Sequence, residues 1–455
     1  MLSALATLLL AAAQPSTPSP AEVLLGDALA EGGAMARLTD LTDRVGPRLT
    51  GSPGAAEAVR WAVEQFKAAG VPVRTEPVTV STWVRGEERG EVLAGPGHRS
   101  WPLALTALGG SPPTPAGGVE GEVVEVESLE ALATAPVAGK IVYFHHEMSV
   151  ASDYEKAGEL RNRGPARAAA RGAIATLVRS LATASLRSPH TGAVVFRDPK
   201  TRIPAVAIAT EDAAVIHRWV AGGPVRVRLV LGCRYEPDAE SANVVAEIKG
   251  RERPSEIVLL GAHLDSWDLA VGAQDDGAGV AIVLDAARLI ARLKPAPRRT
   301  VRFVLFMNEE NGGAGSKAYA AAHGKENHVA ALEADAGSGR AQSVEVHAGD
   351  GGIQLLEPLV KPLGVLDVAA RVKTGPRHGA DLGALARTRG LATVGIHQDS
   401  SHYFDIHHSA ADTLDKVDPA ALRQVVAAHA WLTWALADAP GALTAPPIEP
   451  TPAPE

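Results

Sequence analysis

Six side chains able to bind a metal ion follow one another through the second half of the chain, each at or near the end of an apolar run: His263, Asp275, Glu309, Glu310, Asp335 and His408. His263 closes EIVLLGAH and Asp275 sits in GAQDDGAG. Glu309 and Glu310 end VRFVLFMNEE, Asp335 ends HVAALEAD, and His408 lies in FDIHHSAADT. Imidazole nitrogens together with carboxylate oxygens suit a borderline-soft ion, so zinc fits this set better than calcium or magnesium. Five ligands and a spare glutamate exceed what one tetrahedral zinc accepts, which points to two metals sharing a carboxylate. A metal pair beside an uncommitted carboxylate is the equipment of a hydrolase.

Such residues need a scaffold that brings strand ends together. From Ser241 onward the pattern alternates strand and helix: ANVVAEIKG, EIVLLGAH, VRFVLFMNEE, HVAALEAD and LATVGIH as strands. Between and after them come the helical segments DGAGVAIVLDAARLIARL, SKAYAAAH and DPAALRQVVAAHAWLTWALAD. In the first of these, Val280, Val283, Leu284, Ala287 and Ile290 repeat at helical spacing. The strands are continuous apolar runs, the mark of a sheet covered on both faces. The fold class expected is therefore α/β, with a three-layer α/β/α core. In open sheets of this kind ligands gather beyond the carboxyl ends of the strands, where His263, Glu309, Glu310 and Asp335 lie.

Each element also has a plainer explanation. Asp265 lies two residues past His263 on the same side of a strand and is expected to accept the second imidazole N–H, as carboxylates behind a metal ligand do. Asp275 and Asp276 open a helix, where Asp is a favoured cap, and Asp276 is the better candidate for that duty. Adjacent carboxylates at Glu309 and Glu310 repel unless cations compensate. Asp335 alone would be an ordinary loop acid. His408 has rivals in His402 and His407, and spacing alone leaves the three open.

The first half is organised differently. Residues Ala21 to Gly70 are largely helical, with Gly70 as a stop after AAEAVRWAVEQFKAAG, and VRTEPVTVSTWV follows as a strand. SPPTPAGG, 111–118, has linker composition. From Gly118 to Cys233 short β runs (EGEVVEV, GKIVYFHH, GAVVF, IPAVAIA, VRVRLVLGC) surround one Arg- and Ala-rich helix. His145 and His146 point to opposite faces of a strand and cannot easily share an ion. Arg161, Arg163, Arg167 and Arg171 read as a solvated helix face. The block reads as an insertion at 111–235, between the two parts 21–110 and 236–444 of another fold, with a Pro-rich disordered tail at 445–455.

Composition narrows the class. At 455 residues two domains are expected. Net charge is −8 with only 4% aromatic residues and no basic stripe, which argues against a nucleic-acid partner. No apolar run approaches the roughly 20 residues that span a bilayer. Residues 1–20 have a short Leu/Ala core, then small residues and a Pro/Ser/Thr stretch, the pattern of a secretory signal and linker cleaved near Ala11 to Gln14. Export to the periplasm or the medium follows from that reading. The lone Cys233 sits among apolar neighbours and reads as a buried inert thiol. A homodimer is compatible with the sequence.

The motifs GAHLDSW, GAQDDGAG, FMNEENGGAGS, EADAG and HHSAADT, together with RVGPRLTGS near the start, resemble the co-catalytic di-zinc exopeptidases of the bacterial leucyl aminopeptidase and plasma glutamate carboxypeptidase type. The resemblance covers most of the chain apart from its two ends. It implies that the insertion is a β-rich protease-associated domain and that the substrates are small peptides or dipeptides. It also implies two Zn²⁺ per chain, one on His263, Asp275 and Asp335 and one on Asp275, Glu310 and His408. His408 is chosen because the family ligand precedes its Asp-Thr by four residues, here Asp412-Thr413. Glu309 would be the general base, with Asp265 behind His263, acting on a hydroxide that bridges the metals. Gln274 stands where the family often has Asn, Met or Asp. The competing readings are a single-zinc enzyme of the glutaminyl cyclase kind and a non-catalytic receptor or scaffold. Cleavage polarity is open: Arg377, His378 and Asp381 in PRHGADLG could hold a substrate carboxylate or amine, or serve only as a polar loop and helix cap.

Overall fold

The structure, a computed structural model, describes residues 18–448. The expected signal segment lies outside the described residues except for its last few positions, and the expected disordered tail does so beyond Ile448. Ser19 caps the first helix, Pro20–Glu31, by a reciprocal pairing with Glu22. Ser52 caps the helix Pro53–Ala68, accepting from the N–H of Ala55, with Pro53 at its first position.

Eight strands form the core sheet in the order Val73–Val84, Arg234–Ile248, Arg299–Phe306, Arg253–His263, Asn327–Glu333, Thr393–Gln398, Ala341–His347, Lys373–Thr374. The continuous apolar runs divide their side chains between two covered faces. Val244, Val258, Leu260, Val301, Phe303 and Leu305 face one side, packed with helices Ala278–Arg292 and Pro419–Asp438. Val245, Leu259, Val304 and Phe306 face the other, against Tyr319, Leu382 and Leu385. The sheet is thus the middle of three layers, as expected, and alternation along each strand explains why no polar face is visible in the sequence.

Three neighbouring strands set up the site. Arg253–His263 runs parallel to Arg299–Phe306, with His263 level with Phe306, and parallel to Asn327–Glu333, with Gly261 level with Glu333. His263, the Glu309–Glu310 turn and Asp335 therefore leave the sheet along the same edge.

The second sheet holds Trp101–Pro102, Glu88–Val92, Arg226–Leu231, Val119–Val126, Ile141–Phe144, Ala175–Arg179, Ala205–Ile208 and Leu105–Ala107, in that order. Its chain leaves the core along Val73–Val84 and returns along Arg234–Ile248, and these two strands pair antiparallel from Val73↔Ala246 to Val84↔Arg234. The expected boundary at 111 cuts through this sheet, because Glu88–Val92 pairs with Arg226–Leu231 and Leu105–Ala107 with Ala205–Ile208. Those early strands are only five and three residues long and find their partners far along the chain, which is why they read as part of the core. GAVVF, expected as a strand, contributes only an isolated bridge between Ala193 and Gly109. Trp267, in the loop after His263, packs into the hydrophobic core of the second sheet. Gly109 makes room for it: a Cβ there would lie 2.1 Å from the Trp267 ring.

Candidate active site

Asp275 is the centre of the site. Its Oδ1 lies 3.1 Å from His263 Nε2, and its Oδ2 lies 3.0 Å from His408 Nε2. His263 Nε2 is also 3.5 Å from Asp335 Oδ1, and His408 Nε2 is 3.0 Å from Glu310 Oε2. Two groups thus share one carboxylate: His263, Asp275 and Asp335 on one oxygen, His408, Asp275 and Glu310 on the other.

The loop that carries Asp275 is held from three directions. The Asp412 carboxylate accepts the N–H groups of Gln274 (2.6 Å) and Asp275 (3.1 Å). Arg48, fully buried, donates to the carbonyls of Leu264, Val271 and Gly272. Gly272 has φ +57°, and a Cβ there would sit 2.4 Å from Ser266 Cβ, so only glycine serves. Asp276 accepts the N–H of Gly279 at 3.0 Å, near the start of the helix, as a capping residue would, and the N–H of His263 at 3.1 Å.

Asp265 behaves differently from expectation. The His263 Nδ1 faces the backbone carbonyl of Asp265 at 3.1 Å, while its carboxylate stands 4.0 Å away. The carboxylate instead accepts the N–H groups of Asn308 (2.7 Å) and Glu309 (3.1 Å), and the hydroxyl of Thr50 (2.8 Å). Its work is to fix the turn that presents Glu309 and Glu310. Glu310 is further held through Oε1, which accepts the N–H of Trp267.

Among the three candidate histidines, His408 alone reaches both Asp275 and Glu310 at 3.0 Å. His407 stacks on it, with ring centroids 3.6 Å apart, and comes within 3.4 Å of Asp275 Oδ2. His402 is 90% exposed and pairs with Asp405 outside the site.

The second sheet contributes groups that sequence reasoning missed. Thr191 donates its N–H to the carbonyl of His408 at 2.8 Å, and its own carbonyl faces His408 Nδ1 at 3.3 Å. Arg161 donates to that same Thr191 carbonyl at 3.2 Å, with its Nη1 3.4 Å from His408 Nδ1. The solvated-face expectation holds for Arg163, Arg167 and Arg171, which are exposed, but fails for Arg161, which is 5% exposed. No local pattern could single it out, because its partner histidine lies 247 residues away. Cys233 is buried, and burial pushes its thiol up to about 12, in keeping with an inert residue. His145 contacts Tyr143 and His217 in the second sheet, away from the site.

The remaining candidates cluster beside Glu333. Its carboxylate accepts the N–H groups of Asp381 and Leu382. Both carboxylate oxygens of Asp381 are buried without a hydrogen-bond partner. Burial first, then the charges of Glu333 and Glu309, push Asp381 well above the usual carboxylate range. The same crowding acts throughout. Burial, Asp335 and Glu310 push Glu309 well up, and burial and Asp275 raise Glu310 to about 7. Burial raises Glu333 to about 7 and Asp412 to about 6, each with a neighbouring aspartate adding to the effect.

So many buried carboxylates need cations, and the geometry fits them. Zinc bonds of about 2.0–2.1 Å in a tetrahedron set ligand atoms about 3.3 Å apart, close to the 3.0–3.5 Å that separate His263 from Asp275 and Asp335, and His408 from Asp275 and Glu310. Asp275 Oδ2 is buried and makes no hydrogen bond although His408 Nε2 is 3.0 Å away. That arrangement fits two ligands facing a common ion. His263, Asp275 and Asp335 offer ligand atoms within 4.8 Å of one another, as do Asp275, His407 and His408.

Comparison with known proteins agrees with this chemistry. The family model for peptidase family M28 matches residues 243–433. Carboxypeptidase Q from Bos taurus is 35% identical over 408 residues, covering 88% of this chain and 84% of that protein. The crystal structure of a peptidase M28 precursor from Shewanella amazonensis SB2B is 37% identical and superposes with a TM-score of 0.89 over 95% of this chain and 98% of that one. An aminopeptidase from Aneurinibacillus sp. strain AM-1, 24% identical, shares the fold with a TM-score of 0.65 over 94% of this chain and 98% of its own. No helix among the described residues is long and apolar enough to cross a membrane. The chain belongs to peptidase family M28 and is a metallopeptidase.

Proposed function

We propose that this chain is a zinc exopeptidase that hydrolyses small peptides or dipeptides with two Zn²⁺ per chain. His263, Asp275 and Asp335 would hold one ion and Asp275, Glu310 and His408 the other. The observation that carries this reading is the bridging position of Asp275, whose two oxygens face the two histidines at 3.1 and 3.0 Å. The zinc type is supported by the donor set and by the relatives.

When bound, such an ion pair polarises the scissile carbonyl and lowers the pKa of water from about 15.7 toward about 7. The protein's own residues do the rest. Glu309 takes the proton of the attacking water and returns it to the leaving amine. Its place on the turn is fixed by the Asp265 carboxylate, which binds the N–H of Glu309 itself. Asp412 and Arg48 hold the Asp275 loop rigid, and Trp267, wedged into the second sheet, shields the Glu310 side from solvent.

The test is mass-spectrometric cleavage of three short peptides by the zinc-loaded protein: one with both ends free, one N-acetylated and one C-amidated. Cutting of the amidated but not the acetylated peptide makes it an aminopeptidase, and the reverse a carboxypeptidase. Cutting of the peptide with both ends free, and of neither blocked one, makes it a dipeptidase. No cleavage of any probe with zinc bound contradicts the proposal.

A further inference from the structure

A second set of metal-type side chains converges toward the far edge of the core sheet. Glu345 comes from the strand Ala341–His347 and His397 from the strand Thr393–Gln398. His378 comes from the loop leading to the helix Leu382–Arg389. His397 Nε2 lies 2.9 Å and His378 Nε2 3.7 Å from the same oxygen, Glu345 Oε2. One ligand atom from each residue lies within 4.8 Å of the other two.

A plain ion pair between His397 and Glu345 accounts for one of these contacts. It leaves His378 unexplained. The ring is held in place: the His378 backbone N–H donates to Thr393 Oγ1 at 3.1 Å, and the ring lies over Gly395, where a Cβ would sit 2.2 Å from its Nδ1. Yet its Nε2, turned toward the carboxylate, is buried without a hydrogen-bond partner. A buried imidazole nitrogen left unpaired is costly, a cost that a bound cation would remove. The two approaches to Glu345 bracket the roughly 3.3 Å between neighbouring ligands of a tetrahedral zinc. Burial and the nearby His397 hold His378 below its ordinary pKa, in the neutral form that binds metal.

The cluster of Glu125, His145 and His217 in the second sheet gives a useful contrast. There His217 bonds to Glu125 at 2.7 Å and His145 to the Tyr143 hydroxyl at 2.7 Å. Those imidazoles are satisfied by the protein, and no cation is called for.

We propose that Glu345, His378 and His397 form a further divalent transition-metal site, of the zinc type, separate from the Asp275 centre. The half-exposed His397 leaves room for water as a fourth ligand. An ion there would tie two strands of the sheet to the loop that precedes Asp381.

The experiment is a zinc titration with chelator competition on the full chain and on two variants, His397→Ala and Glu345→Gln, with peptide hydrolysis followed in parallel. Each variant is expected to bind one zinc equivalent fewer than the unmodified protein while His397→Ala retains hydrolysis. Glu345→Gln keeps the side-chain volume, so a folding defect in one variant leaves the other informative. Equal zinc counts in all three proteins overturn the proposal. So does a loss of more than one equivalent together with hydrolysis, which would assign the ion to the Asp275 centre.

Discussion

Thr191 and His408 clasp each other through their main chains and through the imidazole. The Thr191 N–H reaches the His408 carbonyl at 2.8 Å, while the Thr191 carbonyl faces His408 Nδ1 at 3.3 Å. Thr191 belongs to the second-sheet unit and His408 to the core, 217 residues apart. A carbonyl facing Nδ1 favours an N–H there, the tautomer whose Nε2 can bind metal. The second-sheet unit is therefore part of the site, because it sets the angle of a candidate ligand.

That relationship makes Arg161 testable. Its guanidinium holds the Thr191 carbonyl, so Arg161→Met should let the His408 ring rotate. Loss of a group behind a ligand typically weakens metal binding 10–100-fold. Chelator competition should show one zinc weakened by that order while the other is retained. Unchanged affinity for both would remove Arg161 from the account.

Glu309→Gln separates chemistry from metal binding. Glu309 has no imidazole contact of its own, whereas Glu310 faces His408 at 3.0 Å. The variant should keep its metal content and lose roughly 10² to 10⁴ in turnover, the range for a general base. An emptied site in that protein would show that Glu309 is a ligand instead.

The three neighbouring histidines should differ sharply. His408→Ala should release one zinc, whereas His402→Ala, changing an exposed residue, should alter neither zinc content nor turnover. Retention of the full zinc complement in His408→Ala would move the ligand role to His407, which also approaches Asp275.

Acid should destabilise the fold through His429. This imidazole is buried in the helix Pro419–Asp438, bonded only to the Val425 carbonyl, and burial lowers its pKa from 6.5 to about 4. The unfolded chain then binds a proton that the folded one refuses. The stabilising contribution is complete above about pH 6.5 and falls by about 1.4 kcal/mol for each unit below it, down to the folded pKa. His429→Gln should flatten the fall of denaturation midpoint between pH 6.5 and pH 4. An identical slope in both proteins would mean that other groups carry the acid sensitivity.

How much was legible in the sequence depends on how local each signal is. The core strands declare themselves as uninterrupted apolar runs, and the candidate ligands sit at their ends, so the order His263, Asp275, Glu309–Glu310, Asp335 could be read directly. The choice among His402, His407 and His408 could not be made from the residues of that short segment alone; it rested on the resemblance, through the spacing to Asp412-Thr413, and their approach to Asp275 separates them in the structure. The role of Asp265 was misjudged because sequence spacing places a residue but not its carbonyl relative to its carboxylate. Arg161 was misjudged because an arginine on a polar helix looks solvated until a distant element packs on it. The boundary at 111 failed for a related reason: Glu88–Val92 gains its identity from pairing with Arg226–Leu231, far along the chain.

The most direct test is anomalous scattering at the zinc edge from crystals of the zinc-loaded protein. Apart from any peak at Glu345, His378 and His397, the account predicts two peaks flanking the Asp275 carboxylate, one between His263 and Asp335 and one between Glu310 and His408. A single peak, or two that do not share Asp275, would contradict it.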